Sequence, residues 1–152
     1  MFRINSFLQG YRRWWFTAAG VFGLLFSIGC GSGDPFNYHR VSGKVTYDDG
    51  SLIPAERITV TFYPQVDRID AKTHPRPGKA EVNVADGTFN QITSHEHGDG
   101  VVRGKHKVTI AALDSQGRVS TAIPLKYSHP KRTPLEVDSA ESPYLFEIKK
   151  PR

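Results

Sequence analysis

The chain has 152 residues, of which 20 are Lys or Arg and 15 are Asp or Glu. Its formal net charge is +5, and 38% of it is hydrophobic. That length suits one domain with a single core behind a short extra segment. One cysteine in the whole chain excludes a disulfide framework. No basic stripe with interleaved aromatics marks a nucleic-acid surface.

The chain opens with Arg3, Arg12 and Arg13, has no acidic residue before Asp34, and runs apolar from Trp14 to Gly29. A basic start, an apolar run and a small residue before a break are the parts of an export signal, and the run is short for a permanent membrane span. The lone cysteine follows in Gly29-Cys30-Gly31-Ser32-Gly33. This junction resembles the lipobox of a bacterial lipoprotein, although Ser27 and Ile28 stand where that pattern has Leu and a small residue. The resemblance implies that Cys30 takes a lipid and becomes the new N-terminus. We therefore expect a signal peptide over residues 1–29, a lipid-anchored flexible linker over 30–38 and a β-sandwich domain over 39–150. From Cys30 onward 17 basic residues face 15 acidic ones, so much of the excess charge belongs to the leader.

Period-two alternation dominates the rest. Val41–Tyr47 reads as a half-buried strand, Asp48-Asp49-Gly50-Ser51 as a turn, and Arg57–Pro64 as a strand with Ile58, Val60 and Phe62 on one face. Residues 65–78 hold two prolines and no repeating pattern, which predicts an exposed loop. Lys79–Val84 and Gly87–Thr93 flank the tight turn Ala85-Asp86-Gly87 and predict a hairpin. Gly104–Leu113 is the clearest strand, with His106, Val108, Ile110 and Ala112 sharing a face. A proline-punctuated stretch, 123–134, precedes two short strands at Pro134–Val137 and Pro143–Lys149. About seven strands and no convincing helix predict an all-β sandwich, since a single sheet would leave its apolar face wet.

Val41-Ser42-Gly43-Lys44-Val45-Thr46-Tyr47-Asp48-Asp49-Gly50, then Pro54 and Ile58-Thr59-Val60-Thr61-Phe62, resemble the opening of carboxypeptidase regulatory-like, or transthyretin-like, domains. Asp86-Gly87-Thr88-Phe89 is similar to their D-G-x-F hairpin. Gly104-Lys105-His106-Lys107-Val108-Thr109-Ile110 is similar to their G-x-Y-x-V-x-V strand, with His106 in place of Tyr. The segment from Ile123-Pro124-Leu125-Lys126-Tyr127 to Pro130 resembles one found in small bacterial lipoproteins built on this domain. The resemblance implies a single seven-stranded Greek-key sandwich and an accessory or scaffold role.

On the residues alone, Gly43 removes a side chain where another segment approaches, and Gly87 supplies a positive φ in its turn. Pro124 stiffens a connection, and Tyr127 packs its ring on the rim with its hydroxyl bonded to backbone. The string Ser94-His95-Glu96-His97-Gly98-Asp99-Gly100 has a second reading. In an extended backbone His95, His97 and Asp99 would point to one side, as a divalent-metal site requires; otherwise they are exposed loop residues. No nucleophile elbow is present, and the Tyr-Arg-Gly-Ser ending of transthyretin-like hydrolases is replaced by Ile148-Lys149-Lys150-Pro151-Arg152.

The expectation is a non-catalytic, exported lipoprotein, without a cofactor. It would be held to a membrane by its lipid, facing the periplasm or cell surface and docking with another envelope protein. The alternative is a small-ligand module: a metal at His95, His97 and Asp99, or a glycan on coplanar exposed rings among Tyr38, Tyr47, Tyr63, Tyr127 and Tyr144.

Overall fold

The structure, a computed structural model, describes residues 34–151. The expected signal peptide, the lipidation candidate Cys30 and the first part of the linker lie outside the described residues. Nine strands make up the described fold: β1 (Tyr38–His39), β2 (Gly43–Tyr47), β3 (Arg57–Pro64), β4 (Gly78–Val82), β5 (Thr88–Phe89), β6 (Val101–Val102), β7 (Lys105–Leu113), β8 (Glu136–Asp138) and β9 (Tyr144–Ile148). Two short 3-10 turns, Leu125–Ser128 and Ser139–Glu141, interrupt the connections. Among these residues no helix is long and apolar enough to cross a membrane.

The larger sheet runs β4-β3-β7-β8, the smaller one β5-β2-β9, and β1 pairs with β6 as a separate two-stranded piece. All pairings are antiparallel except β2 with β9, which runs parallel from Gly43↔Tyr144 to Tyr47↔Ile148. Alternation explains the two-layer arrangement. Ile58, Val60 and Phe62 of β3 and His106, Val108, Ile110 and Ala112 of β7 are all buried. So are Val45 and Tyr47 of β2 and Tyr144, Phe146 and Ile148 of β9. Phe62 joins the layers, with its ring centroid 5.8 to 6.3 Å from those of Tyr144, Phe89 and Phe146. Burying such side chains contributes about 1.5–3 kcal/mol each, so the fold holds without a disulfide.

Three expectations need correction. The segment read as a linker up to residue 38 is already structured, because Tyr38 pairs with Val102 and the Asn37 carbonyl accepts from the Arg103 amide at 2.9 Å. The hairpin after β4 divides between sheets: β4 stays on β3, while β5 crosses to β2. Lys79 still bridges to Thr93, so both arms return to one place. The strand expected at Pro134–Val137 sits slightly later, at Glu136–Asp138 on the edge of β7.

Strand register sorts the loops. β2 starts at Gly43, beside Phe89 and Tyr144, and these rings pack on Phe62, which is level with Gly78 and Val108. The Gly43 end of the sandwich therefore collects residues 34–42, the loop after Phe62 and residues 92–106. The Tyr47 end collects the turns at Asp48–Ser51, Asp86–Thr88 and Asp114–Arg118.

Candidate functional site

The Gly43 end is built from the pairing of β1 with β6, which lays residues 34–40 against the loop preceding Val101. Asp34 organises the first part. Its Oδ1 accepts from the Phe36 amide at 3.0 Å, and its Oδ2 accepts from the Tyr38 hydroxyl at 2.7 Å and lies 3.3 Å from Nδ1 of His95. The Phe36 amide, with help from Tyr38 and His95, outweighs burial and holds the Asp34 carboxyl below the usual range. Burial, then the neighbouring carboxylate, pushes the Tyr38 hydroxyl up.

Asp99 organises the second part. Its carboxylate accepts from the amides of Ser94 (2.9 Å), His95 (2.9 Å) and Glu96 (2.8 Å). Burial pushes this carboxyl up, but the three amides together pull it lower still. Gly98 and Gly100 adopt positive φ of 70° and 101°, and the Gly100 amide closes the loop on the Ile92 carbonyl at 2.8 Å. A Cβ at Gly100 would strike the His39 carbonyl oxygen, so only glycine lets β1 pass here.

This geometry overturns the extended His95, His97 and Asp99 string. The segment is a closed turn, its carboxylate faces its own backbone, and His95 is turned toward Asp34. Among the described residues no group of three His, Cys, Asp or Glu side chains is placed to hold a metal. The tyrosine platform is corrected as well. Tyr47, Tyr127 and Tyr144 are buried, with hydroxyls donating to the Ala122 carbonyl (Tyr47) and the Asp138 carbonyl (Tyr144), both at 2.8 Å, or accepting from the Lys149 amide (Tyr127). Burial pushes the Tyr144 hydroxyl up to about 12, with Asp138 and Glu141 adding to it.

The remaining singled-out residues fall in separate structural places. A Cβ at Gly43 would lie 2.6 Å from both Phe89 Cζ and the Tyr144 carbonyl oxygen. Phe89 stacks on Phe146 with ring centroids 6.0 Å apart. Asp86 accepts from the Thr88 amide at 2.8 Å, and Gly87 turns at φ 78° under the Val45 carbonyl. The Pro124 carbonyl accepts from the Tyr127 amide at 3.0 Å, starting the first 3-10 turn.

Sequence reasoning missed what lies between the loop and β2. Arg40, Asn90, Gln91 and His97 ring a pocket of about 460 Å³, floored by Val41 and Ile92, with Gly98 and Gly100 in its wall. Within the described residues none of these four side chains has a hydrogen-bond or ion-pair partner. Gln91 is the one described residue other than glycine with positive φ, at 51°. A signal was present in the sequence: Asn90-Gln91 is a polar pair between buried Phe89 and Ile92, where alternation breaks.

A second pocket at this end, of about 430 Å³, is lined by Gln65, Lys105, His106, Glu136, Asp138 and Glu141. His106 is 1% exposed; its Nδ1 donates to the Gly104 carbonyl at 2.9 Å, and its Nε2 has no partner. Burial lowers its pKa, against smaller opposing effects of the Gly104 carbonyl and Asp138.

No protein-family model, curated protein or solved structure matches this chain.

Proposed function

We propose that this chain is an envelope lipoprotein, anchored to a membrane through a lipid on Cys30. Its β-sandwich serves as a non-catalytic accessory or scaffold domain of the carboxypeptidase regulatory-like, or transthyretin-like, type. The observation that carries the proposal is the junction. A basic, apolar leader ends in Gly29-Cys30-Gly31-Ser32-Gly33, and the next residue, Asp34, is already bonded into the fold. Two acyl chains on one thiol would hold such a domain durably, since each buried methylene contributes about 0.8 kcal/mol.

Support for the domain type comes from the four- and three-stranded facing sheets, which together supply seven strands. Gly43, the Asp86–Phe89 turn and the Gly104–Ile110 strand also occupy structural positions of the kind that resemblance implies. The non-catalytic reading is supported by the turn carboxylates Asp49, Asp86, Asp99 and Asp114, which are engaged with backbone amides. The expected partners are the bilayer and a neighbouring envelope protein.

Mass spectrometry of the mature N-terminus tests the anchor. The expected species begins at Cys30 and carries thioether-linked diacylglycerol, and Cys30→Ser leaves the protein unacylated and shifts it toward the soluble fraction. Recovery of unmodified, full-length wild-type chain from the soluble cell interior would overturn the proposal.

A further inference from the structure

We propose that the pocket ringed by Arg40, Asn90, Gln91 and His97 binds a small hydroxylated organic anion, of the size and chemistry of a sugar acid or sugar phosphate. Its volume of about 460 Å³ fits one such unit. Charge selects the sign. Arg40 supplies a planar, permanently charged fork that pairs with carboxylate or phosphate oxygens through parallel N–H bonds, and the His97 ring adds a further donor. No carboxylate side chain lines this pocket, and Asp99, two residues from His97, spends both its oxygens on its own loop. The neighbouring pocket has the opposite character, with Glu136, Asp138 and Glu141 against Lys105.

The amides of Asn90 and Gln91 both donate and accept, which matches ring hydroxyls. Val41 and Ile92 line the pocket but are only 5% and 1% exposed, so contact with a ligand falls mainly on its polar rim. At Gly98 a Cβ would meet nothing within 4 Å, so a ligand can approach the backbone there. Gln91 is held at a φ that costs non-glycine residues on the order of 1 kcal/mol, and such strain collects where side chains must be posed for a ligand. Four exposed polar side chains around one pocket, two of them basic in type and none partnered among the described residues, offer an anion more donors than acceptors. The proposal uses residues 40–100 alone and stands apart from the lipid anchor.

The test uses the full chain in neutral detergent, titrated by calorimetry with glucuronate, glucose 6-phosphate and uncharged glucose, while NMR follows the backbone amides. At least one of the two acids should bind saturably and shift Gln91, Gly98 and Gly100, and glucose should not. Arg40→Gln should weaken that binding about tenfold or more, the loss expected for a charged hydrogen-bonding partner. His97→Gln should weaken it less, and Lys150→Gln at the far end should leave it unchanged. Arg40 is exposed and has no partner among the described residues, so its variant should melt with the wild type. Equal binding of glucose, undiminished binding by Arg40→Gln, or absence of binding by both acids would overturn the proposal.

Discussion

The two ends of the sandwich treat their polar residues in opposite ways. At the Tyr47 end three turn carboxylates accept from nearby backbone amides, while Asp48 meets only the Lys150 amide, at 3.4 Å. Asp49 accepts from the Ser51 amide and from Lys150 Nζ, both at 2.9 Å; Asp86 accepts from Thr88; and Asp114 accepts from the amides of Gln116 and Arg118. At the Gly43 end Asp34 and Asp99 play the same part, yet the exposed Arg40, Asn90, Gln91 and His97 have no partner among the described residues, and His106 leaves a buried nitrogen unmatched there. Self-satisfied turns need only close a chain. The four exposed side chains are solvated at little cost, whereas the buried Nε2 of His106 has no such compensation.

Phe62 is the strongest lever on this contrast, because its ring touches the residues that hold the Gly43 end together. Phe62→Ala should destabilise by about 3–5 kcal/mol in chemical denaturation, and hydrogen exchange should quicken first around β1 and β6. Gly100→Ala comes next, at about 2–4 kcal/mol, from positive φ plus collision with the His39 backbone. Its exchange change should be confined to the Gly43 end, whereas Gly87→Ala, at φ 78° and 2.6 Å from the Val45 carbonyl oxygen, should loosen the other end. A uniform response to both would erase the distinction.

His106 gives the comparison a pH axis. Its folded pKa is lowered, so below the unfolded value of about 6.5 the unfolded chain takes up more protons and stability falls. The loss builds from near 6.5 down to the lowered folded value, and above about 6.5 it is absent. Melting curves against pH should show it, and His106→Phe should flatten this component while gaining about 1 kcal/mol by removing an unpaired buried nitrogen. Asp99→Ala should lower the melting temperature more than Asp86→Ala, since three amides depend on Asp99 and its loop frames the pocket. The smallest effect belongs to the exposed Arg57–Glu81 pair at 3.3 Å; Arg57→Gln should change stability by about 0–1 kcal/mol.

Period-two alternation placed β2, β3, β4, β7 and β9 because each buries one face, and that constraint is written in every second residue. His106 was legible on the buried face of β7 for the same reason. β1 and β6 were not, and β5 was legible as a strand within Gly87–Thr93 but not as a partner of β2. β1, β5 and β6 are two residues each, so no period can develop, and their pairing depends on where distant glycines let backbones meet. The histidine string failed on a different point. Alternation of His95, His97 and Asp99 implies a common side only if the backbone is extended, and the glycines at 98 and 100 already argued for a turn. The break at Asn90-Gln91 marked only part of the pocket, because Arg40 and His97 lie far apart in sequence and meet through the β1–β6 pairing.

The parallel seam between β2 and β9 has a temporal meaning. The first strand of the smaller sheet gains its main neighbour only when nearly the whole domain has emerged. Contacts so distant in sequence make folding slow and leave β2 without its long partner meanwhile. The larger sheet does not wait for it, because β3 can pair with β4 and β7 before β9 exists. Closing the smaller sheet is thus the step that commits the two layers to each other.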